Sequence, residues 1–430
     1  MKTYYSNLIS HIGLLTTVLL ITVTTTQSAD TPTLKEAYKE HFIIGAAVNR
    51  TMVTGAAARV GNRTSEQVHK DIATVMEQYN QISPENDLKW ALIHPQEGEN
   101  GYNFGPADAF VDFGIKNNMY IVGHTLVWHS QTPNWVFQGT NPPPTNSSIQ
   151  VSGQAASTNL AVTNSSGFGG FGRGPGGGFG RFGFSGPRAS REELLQRMRD
   201  HIHTVVGRYK GKIKAWDVVN EAIADGGTNI LRNSLWYEII GPDYIAKAFH
   251  YAHEADPDAI LRYNDYGLEN PAKRRKLIAL IKSLQEQKVP VHAIGTQAHV
   301  NVSSSSFETM DQALTEMESL GLPIHVTELD VNSAQGGQRT TSADISNNAT
   351  TTQGGLVAEA DLKLAKAYEG IFRAFVKHKQ FVKVVTFWGV NDAVSWRASG
   401  KPLLFDGNNK PKPAFDSVIR AAASMQKDIQ

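Results

Sequence analysis

Along the chain, short apolar or β-branched runs alternate with longer stretches whose apolar positions recur every three or four residues. The runs lie at 42–48, 81–86, 120–128, 213–221, 259–265, 292–300, 323–331 and 382–388. Each reads as a strand, and the stretch after it as an amphipathic helix. Between the third and fourth runs, Ser190 and Glu193 form a capping-box pattern; Leu194, Leu195, Met198, Ile202, Val205 and Val206 supply one apolar face, and Gly211 is the expected stop. Pro271 is placed to open another helix, whose apolar face is Leu277, Ile278, Ile281 and Leu284.

Eight strand–helix repeats predict an α/β protein of the (β/α)8 TIM-barrel type, since an open doubly wound sheet has no preference for that count. The runs also end alike: Pro84-Glu85-Asn86, Trp128-His129, Asn220-Glu221, Asn264-Asp265-Tyr266, Gln297-Ala298-His299, Glu328-Leu329-Asp330 and Trp388. Chemistry in such barrels sits at the C-terminal ends of the strands, so the repeated polar and aromatic endings point to a catalyst built on a barrel.

Three segments stand outside the repeat. Residues 1–29 carry Lys2, an apolar run at 12–23 and a polar exit at Ser28-Ala29, the pattern of a secretory signal peptide; the run is too short for a membrane span. A secreted or periplasmic product beginning near Asp30 is expected, with the catalytic domain over 30–430. Residues 141–188 are Pro/Ser/Thr/Asn-rich and then Gly/Phe-rich, with no acidic residue and no lysine. They read as a long low-complexity insertion after strand 3. A second polar loop is expected over 332–355.

Composition narrows the chemistry. With 430 residues and 40% hydrophobic content the chain can bury a core as a monomer, and 41 basic against 40 acidic residues gives no electrostatic basis for nucleic-acid binding. Zero cysteines exclude disulfides, thiolate metal sites and a cysteine nucleophile. His201 and His203 are too close in sequence to share a helix face, so they read as structural rather than as a metal pair. What remains is carboxylate chemistry. Glu221 in WDVVNEA and Glu328 in HVTELDV each end an apolar strand, where a carboxylate is costly unless paired or used. Strand ends four and seven face each other across a barrel mouth, and two carboxyls about 5–5.5 Å apart can run a retaining glycosidase reaction. Alternation along the strands puts His124, Leu126 and Trp128 on one face of their strand, as it does Gln297 with His299 and Glu328 with Asp330, so polar groups at the rim converge on a single mouth.

The motifs ENDLKW, GHTLVWHSQTPNW, WDVVNEA, YNDY, GTQAHV, HVTELDV and WGVNDAVSW occur in the order of glycoside hydrolase family 10. The sequence thus resembles the retaining endo-1,4-β-xylanases of that family, from about Thr33 to Ala422 and interrupted by the two insertions. The resemblance implies that Glu221 is the acid/base and Glu328 the nucleophile. It implies that Asn220 hydrogen-bonds the sugar 2-hydroxyl, and that His299 contacts Glu328 with Asp330 behind it. Glu85, Asn86, Lys89 and Gln131 would bind the glycone sugars; His124, Trp128, Gln297, Trp388 and Trp396 would line the site of the reacting ring. Tyr266 would stack on the leaving-group side. The implied partners are xylan and xylooligosaccharides, with no metal or cofactor and no stable membrane insertion. Leu88 departs from the frequent Met before Lys-Trp, and the low-complexity tract after Trp135 stands where some members carry a folded sugar-binding module.

Two other readings are open: a retaining β-1,4-glucanase of the same barrel type, or a non-catalytic xylan-binding protein. Retention of both glutamates weighs against the binder, which gains nothing from a buried like-charge pair. With the carboxyls close, mutual repulsion is expected to keep Glu221 protonated while Glu328 is ionised.

Overall fold

A computed structural model describes residues 31–55, 63–139, 187–333 and 355–424. The signal-peptide reading and the interiors of both insertions lie outside these residues.

The strands are β1 (Ile43–Val48), β2 (Gln81–Pro84), β3 (Tyr120–Trp128), β4 (Ala215–Asn220), β5 (Ile260–Asp265), β6 (Ala293–Thr296), β7 (His299–Asn301), β8 (Ile324–Asn332) and β9 (Val382–Phe387). All pair in parallel in the order β6-β5-β4-β3-β2-β1-β9-β8, and β6 pairs with β8 to close an eight-stranded barrel; β7 adds to β8 at the rim. This is the expected (β/α)8 barrel. Val, Ile and Ala dominate the strands because residues there are buried on both faces, by neighbouring strands' side chains inside and by helices outside. Between β3 and β4 the approach is close: a Cβ on Gly123 would collide with the Trp216 ring.

One long helix follows each barrel strand: α1 (Ser65–Gln78), α2 (Gly105–Lys116), α3 (Arg191–Arg208), α4 (Tyr244–Ala255), α5 (Pro271–Glu286), α6 (Phe307–Glu318), α7 (Gly355–Lys377) and α8 (Pro413–Ser424). The capping box of Ser190 and Glu193 opens α3, and Asn270 caps α5 with Pro271 in its first turn. On α3 the buried face is Leu194, Met198, His201, Ile202, Val205 and Val206, with Leu195 only partly buried. The helix ends at Arg208, before Gly211, whose φ of 73° serves the turn into β4.

Three expectations need correction. The run 292–300 is two strands, β6 and β7, because the chain breaks at Gln297-Ala298, with Ala298 in the left-handed region at φ 56°. Simple alternation fails in β3, β4 and β8, where the register shifts between His124 and Val127, between Asp217 and Val219, and between Val326 and Leu329. The mouth of the 141–188 insertion is closed by an antiparallel bridge of Gln138 with Arg188, so its last residue belongs to the barrel frame.

Candidate active site

Glu328 stands in the middle of β8 rather than at its end, and it is buried and held from two sides. Asn264, on β5, donates from Nδ2 to Glu328 Oε1 at 2.8 Å, and His299 Nε2 lies 3.1 Å from Glu328 Oε2. The other His299 nitrogen, Nδ1, is 3.0 Å from Asp330 Oδ2. Two ionised carboxylates only accept, so both ring nitrogens carry protons and the ring is an imidazolium. Burial works against that charge, but Asp330 and Glu328 outweigh it and raise the His299 pKa to about 9. Asp330 in turn accepts from Trp396 Nε1 at 2.7 Å and Arg397 Nη1 at 2.9 Å. For Glu328 the balance favours charge: burial pushes its pKa up, while the His299 hydrogen bond and the nearby His124 and His299 bring it below the usual carboxylate value.

A buried chain of polar and charged side chains backs the same carboxylate. His124 Nδ1 is 4.0 Å from Glu328 Oε1 and 2.9 Å from Asp217 Oδ2. Arg262 binds Asp217 with two nitrogens, at 2.5 and 3.1 Å, and donates to His325 Nδ1 at 3.1 Å. Because a guanidinium only donates, His325 is neutral there. Burial and the adjacent Arg262 accordingly lower its pKa to about 3.

Glu221 follows β4 directly and takes a left-handed backbone conformation, φ 57°, unusual for a side chain that branches beyond Cβ. Its main-chain N–H donates to Asn264 O at 2.8 Å. Its carboxyl oxygens accept from Trp128 Nε1 at 2.9 Å and Gln297 Nε2 at 3.0 Å. The pKa is raised to about 7, first by burial, then by the charges of Asp265 and Glu328, against the opposing hydrogen bonds of Gln297 and Trp128. Mutual repulsion between the two glutamates is therefore real but third in rank; desolvation leads. Two carboxyls with oppositely displaced pKa values, joined through Asn220, Asn264 and Gln297, are equipped to act as a proton donor and an ionised nucleophile at one mouth.

The remaining sequence-marked residues gather around this pair. Asn220 Oδ1 accepts from Asn264 Nδ2 at 2.9 Å and Gln297 Nε2 at 3.3 Å. Trp388 packs edge-on against His124, ring centroids 5.2 Å apart, and Trp396 against His299 at 5.0 Å. The Lys89 ammonium lies 5.2 Å from the Trp128 ring centroid and 2.9 Å from Asn86 Oδ1. Glu85 is beside them, its pKa raised by burial against the opposing charge of Lys89. Gln131 is tied in by its main chain, its carbonyl accepting from Ala91 N at 2.8 Å. Tyr266, expected to stack on a leaving sugar, is as buried as its neighbours, and Lys273 Nζ stands 3.3 Å from its ring centroid, so one stacking face is taken. His201 is away from the site, stacked on Trp90 at 3.7 Å, and His203 pairs with Glu254 at 3.2 Å.

The sequence model of Glycosyl hydrolase family 10 matches residues 33–155 and 182–421. The chain belongs to that family. A β-1,4-xylanase of Dictyoglomus thermophilum is 35% identical to it over 396 residues, covering 90% of this chain and 91% of the relative. Endo-1,4-β-xylanase B of Paenibacillus barcinonensis is 35% identical over 399 residues, covering 91% and 99%. The crystal structure of xylanase XynB from that organism with a conduramine derivative superposes with a TM-score of 0.69 at 35% identity over 91% of this chain and 99% of that one. A GH10 endoxylanase retrieved from a sugarcane soil metagenome gives a TM-score of 0.71 at 34% identity, covering 90% and 99%.

Sequence reasoning gave Asn264 no role in this family 10 site, although it touches Glu328, Asn220 and Thr327, whose Oγ1 donates to its Oδ1 at 2.6 Å. The signal was present, because Asn264 stands in the polar ending of a strand. Its neighbour Gly295 on β6 leaves room for it, since a Cβ there would meet Asn264 Oδ1 at 2.5 Å. Asp217, Arg262 and Arg397 were also missed. Nothing in a linear pattern separates a buried charge that backs a site from one on the surface.

Proposed function

We propose that the protein is an endo-1,4-β-xylanase that cleaves internal β-1,4-xylosidic bonds with retention, using Glu221 as acid/base and Glu328 as nucleophile. The observation that carries this reading is the opposed setting of the two carboxyls. Glu328 is held ionised between His299 and Asn264, and Glu221 is held protonated near neutrality in a desolvated niche. The names of the relatives above support the substrate class.

In the first step a Glu328 oxygen bonds to the anomeric carbon as the glycosidic C–O bond breaks, and the Glu221 proton passes to the departing oxygen. Formation of the ester removes the Glu328 charge and lowers the pKa of Glu221, which then takes a proton from water. That water bonds to the anomeric carbon as the ester C–O bond breaks, restoring both groups. Asn220 has no protein partner for its side-chain nitrogen among the described residues, so its N–H groups are available to a sugar 2-hydroxyl beside the nucleophile. Gln297 and Asn264 hold it in that orientation. Export to the cell exterior or periplasm follows from the signal-peptide pattern of residues 1–29, and is part of the same proposal.

A proton NMR time course with xylohexaose tests the reading. Internal cleavage with the β-anomer appearing first is expected. An α-anomer first would overturn the pairing of Glu221 with Glu328. Inactivity on xylohexaose with cleavage of a β-1,4-glucan would overturn the substrate assignment.

A further inference from the structure

Immediately after Glu221 the chain forms a hairpin, closed by an antiparallel bridge of Ile223 with Leu231 and by main-chain bonds from Ala224 N to Ile230 O at 2.9 Å and from Arg232 N to Ala222 O at 2.7 Å. The guanidinium of Arg232 turns back under this hairpin. Its Nε donates to the main-chain carbonyl of Glu221 at 3.2 Å, and its Nη2 donates to the Tyr266 hydroxyl at 2.9 Å and to Asp225 Oδ2 at 3.0 Å. The Tyr266 hydroxyl, accepting from Arg232, donates to Asp225 at 2.6 Å. Lys273, from α5, completes the cluster: its Nζ is 2.9 Å from Asp225 and 2.9 Å from Asp265. Lys276 fixes the hairpin itself, donating to the carbonyls of Ala224 and Gly226 at 3.0 and 2.9 Å.

We propose that Arg232, oriented by Asp225, is a positioning residue that holds the Glu221 peptide and the Tyr266 ring in one rigid frame. The proposal rests on the function assigned above. Glu221 occupies a left-handed conformation that a non-glycine residue keeps only when its surroundings impose it, and Arg232 grips the carbonyl of that same residue. The planar fork of the guanidinium can satisfy the carbonyl, the phenol and the carboxylate together, which a lysine ammonium on a flexible stem cannot do in fixed geometry. On the function proposed above, Glu221 delivers a proton to the leaving oxygen, and Tyr266 is the residue expected on the leaving-group side. Coupling the two through one side chain sets the direction of the proton relative to the leaving sugar. Arg232 thereby acts on the protonation step, through Glu221, without touching the reacting bond.

The test compares kcat/KM on xylotetraose, whose leaving group is a sugar that needs the proton, with kcat/KM on 4-nitrophenyl β-xylobioside, whose leaving group needs neither proton nor sugar contact. In Arg232→Met the ratio of the two values is expected to fall about tenfold or more, because a misplacement of about 1 Å at a reacting group can cost about 10²-fold. Asp225→Asn, at a half-exposed position, is expected to shift the ratio the same way by less, since the guanidinium keeps its bonds to Glu221 and Tyr266. Equal losses on both substrates in Arg232→Met, the result of a merely structural role, would overturn the proposal. So would an unchanged ratio in folded Asp225→Asn if Arg232→Met does not fold. A wild-type protein inactive on both substrates would instead overturn the functional reading on which the proposal stands.

Discussion

Asn264 hydrogen-bonds Glu328 Oε1 at 2.8 Å with the same side-chain nitrogen that donates to Asn220 at 2.9 Å. Both of its N–H groups are used, and its oxygen is occupied by Thr327 at 2.6 Å, so the side chain has a single satisfied orientation. The candidate nucleophile and the residue beside it are therefore set by one amide. Replacing Asn264 with Ala should lower kcat/KM on xylooligosaccharides by about 10²-fold, the cost of losing one preorganised donor at a charged centre. Asn264→Asp should do more, because a carboxylate against Glu328 raises its pKa and moves the acid limb of the pH profile upward. A profile that stays in place in Asn264→Asp counts against this role.

The opposed pKa displacements predict a bell-shaped profile of kcat/KM. On the proposed mechanism Glu221 is an acid only while protonated, so activity should fall as pH rises through about 7. Glu328 must be ionised, and its pKa lies below the usual carboxylate value, so the acid limb falls below pH 4.5. Rates measured across pH 3 to 9 on xylohexaose check both limbs, and a rate undiminished well above pH 7 would remove Glu221 as the acid.

Glu221→Gln should spare kcat/KM on substrates with good leaving groups and lose it on xylan, whereas Glu328→Gln should abolish turnover on both. The same variant carries a stability signature. A carboxyl whose folded pKa is raised from 4.5 to about 7 stabilises the fold fully at low pH, and that contribution is lost as pH rises through 7. Glu221→Gln has no such titration. Relative to its stability at pH 4, it should retain up to about 3 kcal/mol more than wild type at pH 8. Urea unfolding at the two pH values measures the difference.

Arg262 and Asp217 form a buried pair, at 2.5 and 3.1 Å, with both side chains essentially out of solvent. Arg262→Met leaves Asp217 charged and buried without its guanidinium partner. The expected cost is about 3–5 kcal/mol of stability, read as a lower urea midpoint with unchanged slope. A midpoint within error of wild type would mean that Asp217 is neutral in the variant.

Much of the architecture could be read directly from the chain. Runs of Val, Ile and Ala at regular spacing, Ser190 with Glu193 and Pro271 after Asn270 each reflect local physics: burial, capping and fixed φ. The polar endings of the strands located the site for the same reason, since polar groups at the end of an apolar strand must be paired or used. The break at Gln297-Ala298 escaped this logic, because an apolar run does not show where a positive φ interrupts it.

The sequence by itself determined the barrel, the helix starts and the two glutamates, because these depend on periodicity and on neighbours within a turn or a strand. Only the tertiary structure decided what sets their charges. Burial rather than mutual repulsion dominates the Glu221 shift, and His299, with both nitrogens between carboxylates, secures Glu328. Likewise Asn264 at Glu328 and Arg232 at the Glu221 carbonyl acquire their contacts from bulged registers and a returning hairpin. Desolvation and hydrogen-bond geometry are properties of enclosure by distant segments, and they come into being only when those segments meet.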